Sequence, residues 1–98
     1  MIRTFRDPAT ADVFDGRNTK AARRACPQSL WPVAGRKLDL LDSVESLEEL
    51  RSPPGNRLEA LTGDRDGQHS IRVNQQYRLC FVWTDDGPEE AEIVDYHP

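Results

Sequence analysis

Gln68-His69-Ser70-Ile71-Arg72-Val73-Asn74-Gln75-Gln76-Tyr77-Arg78-Leu79-Cys80-Phe81-Val82-Trp83 decides how the second half of this 98-residue chain is organised. His69, Ile71, Val73, Tyr77, Leu79, Phe81 and Trp83 are all odd-numbered, whereas Arg72 and Arg78 belong to the even set. Successive strand residues point to opposite faces, so the odd residues are predicted to share the buried face. Two strands that keep odd residues on one face must pair positions whose numbers sum to an even value. A three-residue loop, Asn74-Gln75-Gln76, satisfies this by pairing Val73 with Tyr77 and Arg72 with Arg78. A two-residue loop would set Arg72 opposite Leu79 and reverse every side chain. Arg72 and Arg78 are therefore expected side by side on the outer face, a repulsive arrangement unless an anion or an acidic residue relieves it.

Working outward, Arg57–Leu61 and Glu90–Asp95 read as two further strands, and Met1–Arg6 as a short first strand anchored by Ile2 and Phe5. The tips are expected at Gly63–Gly67 and at Asp85-Asp86-Gly87-Pro88. Ser52-Pro53-Pro54-Gly55-Asn56 is the clearest boundary, because two prolines and a glycine end helix and turn the chain. Ahead of it the pattern is helical. Asp7-Pro8 supplies a cap and a proline at the first helical position, and Gly16 or Asn18 ends that helix. A loosely ordered stretch is predicted near residues 24–31. A firm helix should run from about Pro32 to Ser43, with a stripe of Val33, the Lys37 stem, Leu40, Leu41 and Val44. Ser46 and Glu49 match a capping box. Helices followed by an antiparallel meander give an α+β fold, a small twisted sheet with helices on one face.

One domain, residues 1–98, is expected at this length. The formal net charge of −4 conceals an asymmetry. Residues 1–37 hold eight Lys/Arg against three Asp/Glu, and residues 38–98 hold five against fourteen. The basic half is suited to a phosphate backbone or a ribosomal surface, or else is a solvated helical face. No apolar stretch approaches a signal-peptide core or a membrane span. Cys26 and Cys80 lack CxxC partners, and a buried free thiol is the commoner fate of a cysteine in an apolar strand. Together these features place the expected compartment as reducing cytoplasm. A metal site is not expected, since the chain has only His69 and His97 and His69 falls on the inward face.

The chain end, Ile93-Val94-Asp95-Tyr96-His97-Pro98, sets three chemically capable side chains after an apolar strand. Met1-Ile2-Arg3-Thr4-Phe5, Gly55-Asn56-Arg57-Leu58, Gly63-Asp64-Arg65, Ser70-Ile71-Arg72-Val73-Asn74, Tyr77-Arg78-Leu79-Cys80-Phe81 and Asp95-Tyr96-His97 together resemble HigB toxins of the RelE-like superfamily. The resemblance runs from the first strand to the last, in register. It implies a RelE-like fold and a ribosome-dependent endoribonuclease acting on messenger RNA, restrained by a HigA-like helix-turn-helix antitoxin. DNA would be reached only through that antitoxin.

Cleavage of this kind uses the RNA's own 2′-hydroxyl as nucleophile and requires no cofactor. It needs a base, an acid and cations for the phosphorane. Arg78 is assigned to the scissile phosphate because a guanidinium holds two oxygens at once. Arg72 and Arg65 are assigned to RNA positioning or charge stabilisation, and His97 to acid–base work. Asp95 is expected to orient His97, and Tyr96 to stack on a base or donate a proton, or else to pack on the sheet. HigB-like chains commonly carry a lysine where this chain has Thr62 and often a histidine where it has Glu59. These departures imply reduced activity, and they favour the competing reading, a non-catalytic module that docks on the ribosome or antitoxin.

Overall fold

A computed structural model describes residues 1–96. Helix α1, Pro8–Asp15, begins as its sequence dictates: the Asp7 side chain accepts from Thr10 N at 2.7 Å, and Pro8 occupies the first turn. It stops at Gly16, whose φ of 75° is the left-handed conformation that glycine adopts without a Cβ penalty. Thr19 caps α2, Lys20–Ala25, by accepting from Ala22 N at 3.0 Å. A single 3₁₀ turn at Gln28–Leu30 leads into α3, Trp31–Ser43. The stretch expected to be loosely ordered at 24–31 is mostly helical: Arg24 and Ala25 end α2, Trp31 begins α3, and the prolines confine the break to Cys26-Pro27 before the 3₁₀ turn. The buried stripe of α3, however, is Ala34, Leu38 and Leu41, followed by Val44; Val33, Lys37 and Leu40 are only half-buried. The prediction is half right: Leu41 and Val44 are buried as expected, Val33 and Leu40 pack at the margin of the core, and Ala34 and Leu38 take the central places it missed.

After α3 the capping box forms, with Glu49 accepting from Ser46 N at 2.7 Å, but it opens a 3₁₀ segment, Leu47–Arg51. A second 3₁₀ turn, Pro54–Asn56, ends at Arg57 in a left-handed conformation (φ 47°). That turn consumes the start of the strand expected at 57–61, leaving β1 as Glu59–Ala60. Asn56 is fully buried there. Its amide donates to Leu50 O and Ser52 O, both at 3.2 Å, and its carbonyl oxygen accepts from Lys37 Nζ. This one side chain ties the 3₁₀ segments to α3.

Strands β2 (His69–Arg72), β3 (Tyr77–Thr84) and β4 (Gly87–Asp95) complete an antiparallel sheet in the order β1-β2-β3-β4. The hairpin register is the one parity demands, with Arg72 opposite Arg78. Asn74 fixes the loop, its side-chain oxygen accepting from Gln76 N at 2.9 Å and Tyr77 N at 2.7 Å. Ile71, Val73, Tyr77, Leu79 and Phe81 are buried on the helix side. In β4, Pro88 lies within the strand opposite Trp83, not in the tip. A bulge between Cys80 and Val82 follows, and Glu90 takes a φ of 56° there. The extra residue moves the inward set of β4 from Pro88 to Ala91 and Ile93.

Residues 1–6 do not form the expected strand; they make one parallel bridge, Phe5 to Ala91. They still close the edge of β4, since Arg3 N donates to Pro88 O (2.8 Å), Ala91 N to Thr4 O (3.1 Å) and Arg6 N to Ala91 O (3.0 Å). Thr10 of α1 continues that closure by accepting from Ile93 N at 3.0 Å. Gly87 permits the close approach. A Cβ on it would meet Met1 O at 2.6 Å, and its φ is 120°. Gly87→Ala is expected to cost at least about 2 kcal/mol, since strained φ and a backbone clash combine; urea unfolding measures it, and an unchanged midpoint would show that residues 1–3 move aside freely.

Both cysteines are free and buried, and no helix among the described residues is long and apolar enough to cross a membrane.

Candidate active site

The outer face of the sheet follows from the register. One row runs Arg72, Arg78, Val94; the next runs Glu59, Ser70, Cys80, Glu92. Edge strand β1 therefore brings a carboxylate to a face whose central position is a guanidinium. Ser70 and Cys80, even-numbered and on this outer face, are nevertheless buried. Burial pushes the Cys80 thiol above its ordinary pKa, which makes it part of the floor and not a thiolate.

Arg78 is a confined cation, its side chain 16% exposed against 30% for Arg65. Its Nη1 lies 3.8 Å from Glu59 Oε1, within ion-pair range but beyond a hydrogen bond. That Nη1 is buried and has no hydrogen-bond partner among the described residues. The ring of Tyr96 lies under the guanidinium, 5.6 Å from its carbon to the ring centroid. Tyr96 is held there because its N–H donates to Gln76 O at 2.7 Å, carrying the β4 pairing one residue past Asp95. A buried donor left unpaired costs about 1–3 kcal/mol, more for a charged group. An anion entering beside Tyr96 would remove that cost and relieve the repulsion from Arg72.

Beside this guanidinium an open groove of about 380 Å³ is lined by Glu59, Thr62, Asp64, Arg65 and Tyr96. Arg65 closes the 3₁₀ turn Gly63–Arg65 and is held by Gln68 Oε1 and Glu92 Oε1, both at 3.1 Å. Glu92 also lies 3.8 Å from Arg6. Arg65 thus reaches the groove as a half-neutralised, positioned cation, 30% exposed.

The sequence-predicted residues divide accordingly. Arg72 and Arg78 are adjacent, Tyr96 joins Arg78, and Arg65 lines the neighbouring groove. Asp95 sits opposite Tyr77 in the register and accepts from Gln76 Nε2 at 3.2 Å; His97 lies outside the described residues. Glu59, read from sequence as a departure, proves to be the carboxylate beside Arg78. Its odd number hid it. The β1–β2 pairing joins Glu59 to Ser70, so odd residues of β1 share the face of even residues in β2.

Comparison with known proteins gives the family and the fold. The family model for the RelE-like toxin of the type II toxin-antitoxin system HigB matches residues 3–97. The chain belongs to the HigB-like toxin family. This HigB-like chain is 50% identical over 62 residues to Toxin HigB-1 of Vibrio cholerae, covering 63% of the chain and 65% of the relative. It is 46% identical over 57 residues to an uncharacterized protein of Haemophilus influenzae, covering 58% and 56%. These alignments span less than two thirds of the relatives' own lengths. In fold, it resembles YoeB in the YoeB–YefM complex from Staphylococcus aureus, with a TM-score of 0.60, 15% identity and coverage of 100% and 99%. The YoeB dimer from the same organism gives a TM-score of 0.60 at 16% identity, covering 99% and 98%. The shared architecture is helices packed on a four-stranded antiparallel sheet.

Proposed function

We propose that this HigB-like chain is a ribosome-dependent endoribonuclease that cleaves messenger RNA, and that a HigA-like antitoxin restrains it. The observation that carries the reading is the buried Nη1 of Arg78, without a hydrogen-bond partner among the described residues, stacked over the Tyr96 ring that lines the adjoining groove. Such a donor is suited to a phosphate oxygen, and the Tyr96 ring offers a stacking surface for the adjoining base.

The attacking 2′-oxygen forms a bond to phosphorus while the bond to the 5′-oxygen breaks, leaving a cyclic phosphate and a 5′-hydroxyl. Arg78 holds the non-bridging oxygens as charge accumulates on them, and Arg72 and Arg65 add to the positive field. The 2′-proton must pass to a base and the leaving oxygen must gain a proton. His97 and Glu59 are the proposed carriers, with Asp95 orienting His97. No metal enters this scheme. Incubation with ribosomes and a defined messenger is expected to yield fragments ending in cyclic phosphate. Ribosome binding without cleavage would overturn the reading.

A second reading is favoured by one observation: Glu59 and Asp64 set two carboxylates at the groove, and Thr62 supplies no cation. In that reading the fold is a non-catalytic module docking on the ribosome or antitoxin. Thr62→Lys separates the two. On the cleavage reading the added cation is expected to raise the rate about tenfold, equivalent to roughly 1.4 kcal/mol of transition-state stabilisation. Equal rates in the wild type and the variant would remove the argument that a missing cation limits cleavage.

A further inference from the structure

At the far end of β3, five residues and roughly 16 Å along the strand from Arg78, lies a second groove that the cleavage chemistry does not use. Its volume is about 470 Å³, within the range of ligand pockets of about 300–1,000 Å³. Its apolar surface comes from Trp83, which is half-buried, from buried Val44, and from Met1. Met1, 71% exposed, is the large hydrophobic residue left uncovered among the described residues. Glu45, Asp85 and Asp86 rim the groove; all three are exposed, and none is in an ion pair among the described residues. The stem of Arg3 passes near Gly87, but Arg3 forms no ion pair with these carboxylates.

The groove also lies at the C-terminal end of α3, whose last turn has no basic residue to offset the partial negative charge of its free carbonyls. Its walls are preset. Thr84 Oγ1 donates to Gly87 O at 2.7 Å and accepts from Asp86 N at 3.2 Å, which fixes the Asp85-Asp86 turn. Val44 N closes α3 on Leu40 O at 3.1 Å. Little ordering would be required on binding.

We propose that this groove docks a cationic segment of a partner protein, with an apolar side chain or Lys/Arg stem lying on Trp83 and Met1 and the positive heads among Glu45, Asp85 and Asp86. Charge complementarity selects this occupant. The rim repels a nucleic-acid backbone, while an arginine or lysine meets three carboxylates, a helix C-terminus and an indole face together. The inference does not depend on the cleavage reading, because none of these residues belongs to the Arg78 groove.

The test uses the full chain, isotope-labelled, titrated with a blocked pentapeptide of sequence Lys-Arg-Leu-Arg-Lys and with its Glu-Glu-Leu-Glu-Glu counterpart. Saturable shifts at Val44, the Trp83 indole and Gly87 are expected with the basic peptide alone. The Asp85→Asn/Asp86→Asn variant, altered only at exposed turn positions, should bind about tenfold more weakly, and 0.5 M salt should weaken the wild type comparably. Cleavage by this variant should equal that of the wild type. Shifts centred on Glu59 and Tyr96, equal binding of the acidic peptide, or unchanged affinity in the variant would overturn the proposal. So would concentration-dependent self-association abolished by the same substitutions, which would assign the groove to a second copy of the chain.

Discussion

Replacing Arg78 with methionine is expected to remove RNA cleavage while leaving the protein as stable as before, or more so. Two physical terms point in opposite directions. In the free protein Arg78 is a cost, because its Nη1 is buried without a hydrogen bond and Arg72 stands directly opposite. Methionine retains most of the apolar stem and discards both penalties; removing one partner of a fully buried pair is destabilising, but here the remaining partner is open to solvent. Glu59 is half-exposed, 50% by side chain, so water can solvate it once its partner is gone. In the transition state the balance reverses, since removing one oriented donor costs about 10²–10³ in rate. Urea unfolding and ribosome-dependent cleavage on the same preparations check both halves. Arg78→Lys should recover only part of the rate, because an ammonium lacks the planar fork. Undiminished cleavage in Arg78→Met would remove Arg78 from the site. A loss of several kcal/mol of stability would show instead that its contacts with Glu59 and Tyr96 outweigh its unpaired nitrogen.

The second large effect is expected away from the groove. Asn56→Ala should destabilise the fold by about 3 kcal/mol, because it orphans several groups at once. Leu50 O and Ser52 O lose their donor, and Lys37 Nζ loses the oxygen that accepts from it. Burial already holds the Lys37 pKa below the ordinary lysine range, and this ammonium would be left with less compensation. Because Asn56 also sets where β1 begins, cleavage should fall more than the unfolded fraction explains, through displacement of Glu59. A measured loss below about 1 kcal/mol would show that water replaces the amide and that the latch is dispensable.

The contrast between Arg72–Arg78 and Glu59 shows which relations a sequence makes legible. The arginine pair was readable because one short loop, closed on itself by Asn74, sets the register of long strands with clean alternation. Tyr96 was named from sequence only as a stacking, proton-donating or sheet-packing residue; its place under Arg78 follows from the β4 pairing that runs one residue past Asp95. Glu59 was not readable. Its strand is two residues long, its start is set by the Asn56 latch, and its register depends on a turn whose 3₁₀ geometry no alternation reveals. The stripe of α3 was read only in part for a third reason: its apolar residues form one broad arc, and only packing sets Ala34 and Leu38 at the centre and Val33 and Leu40 at the margin. Residue patterning supplied the order of the elements, while the identity of the carboxylate beside Arg78 came from the backbone.

The closure of β4 by residues 3–6 has a consequence for how such a chain comes into being. Thr4 Oγ1 accepts from Glu90 N across 86 residues of sequence, and Thr10 accepts from Ile93 N across 83. Contacts of this separation form late, after the intervening chain has been made and collapsed. Arg78 lies on a central strand that gains its second neighbour only when β4 docks, and Tyr96 arrives just after. A nascent chain halted between Arg78 and the start of β4 at Gly87 therefore carries every arginine of the site yet lacks the assembled face. The face is completed in one late step, once residues 3–10 have met β4.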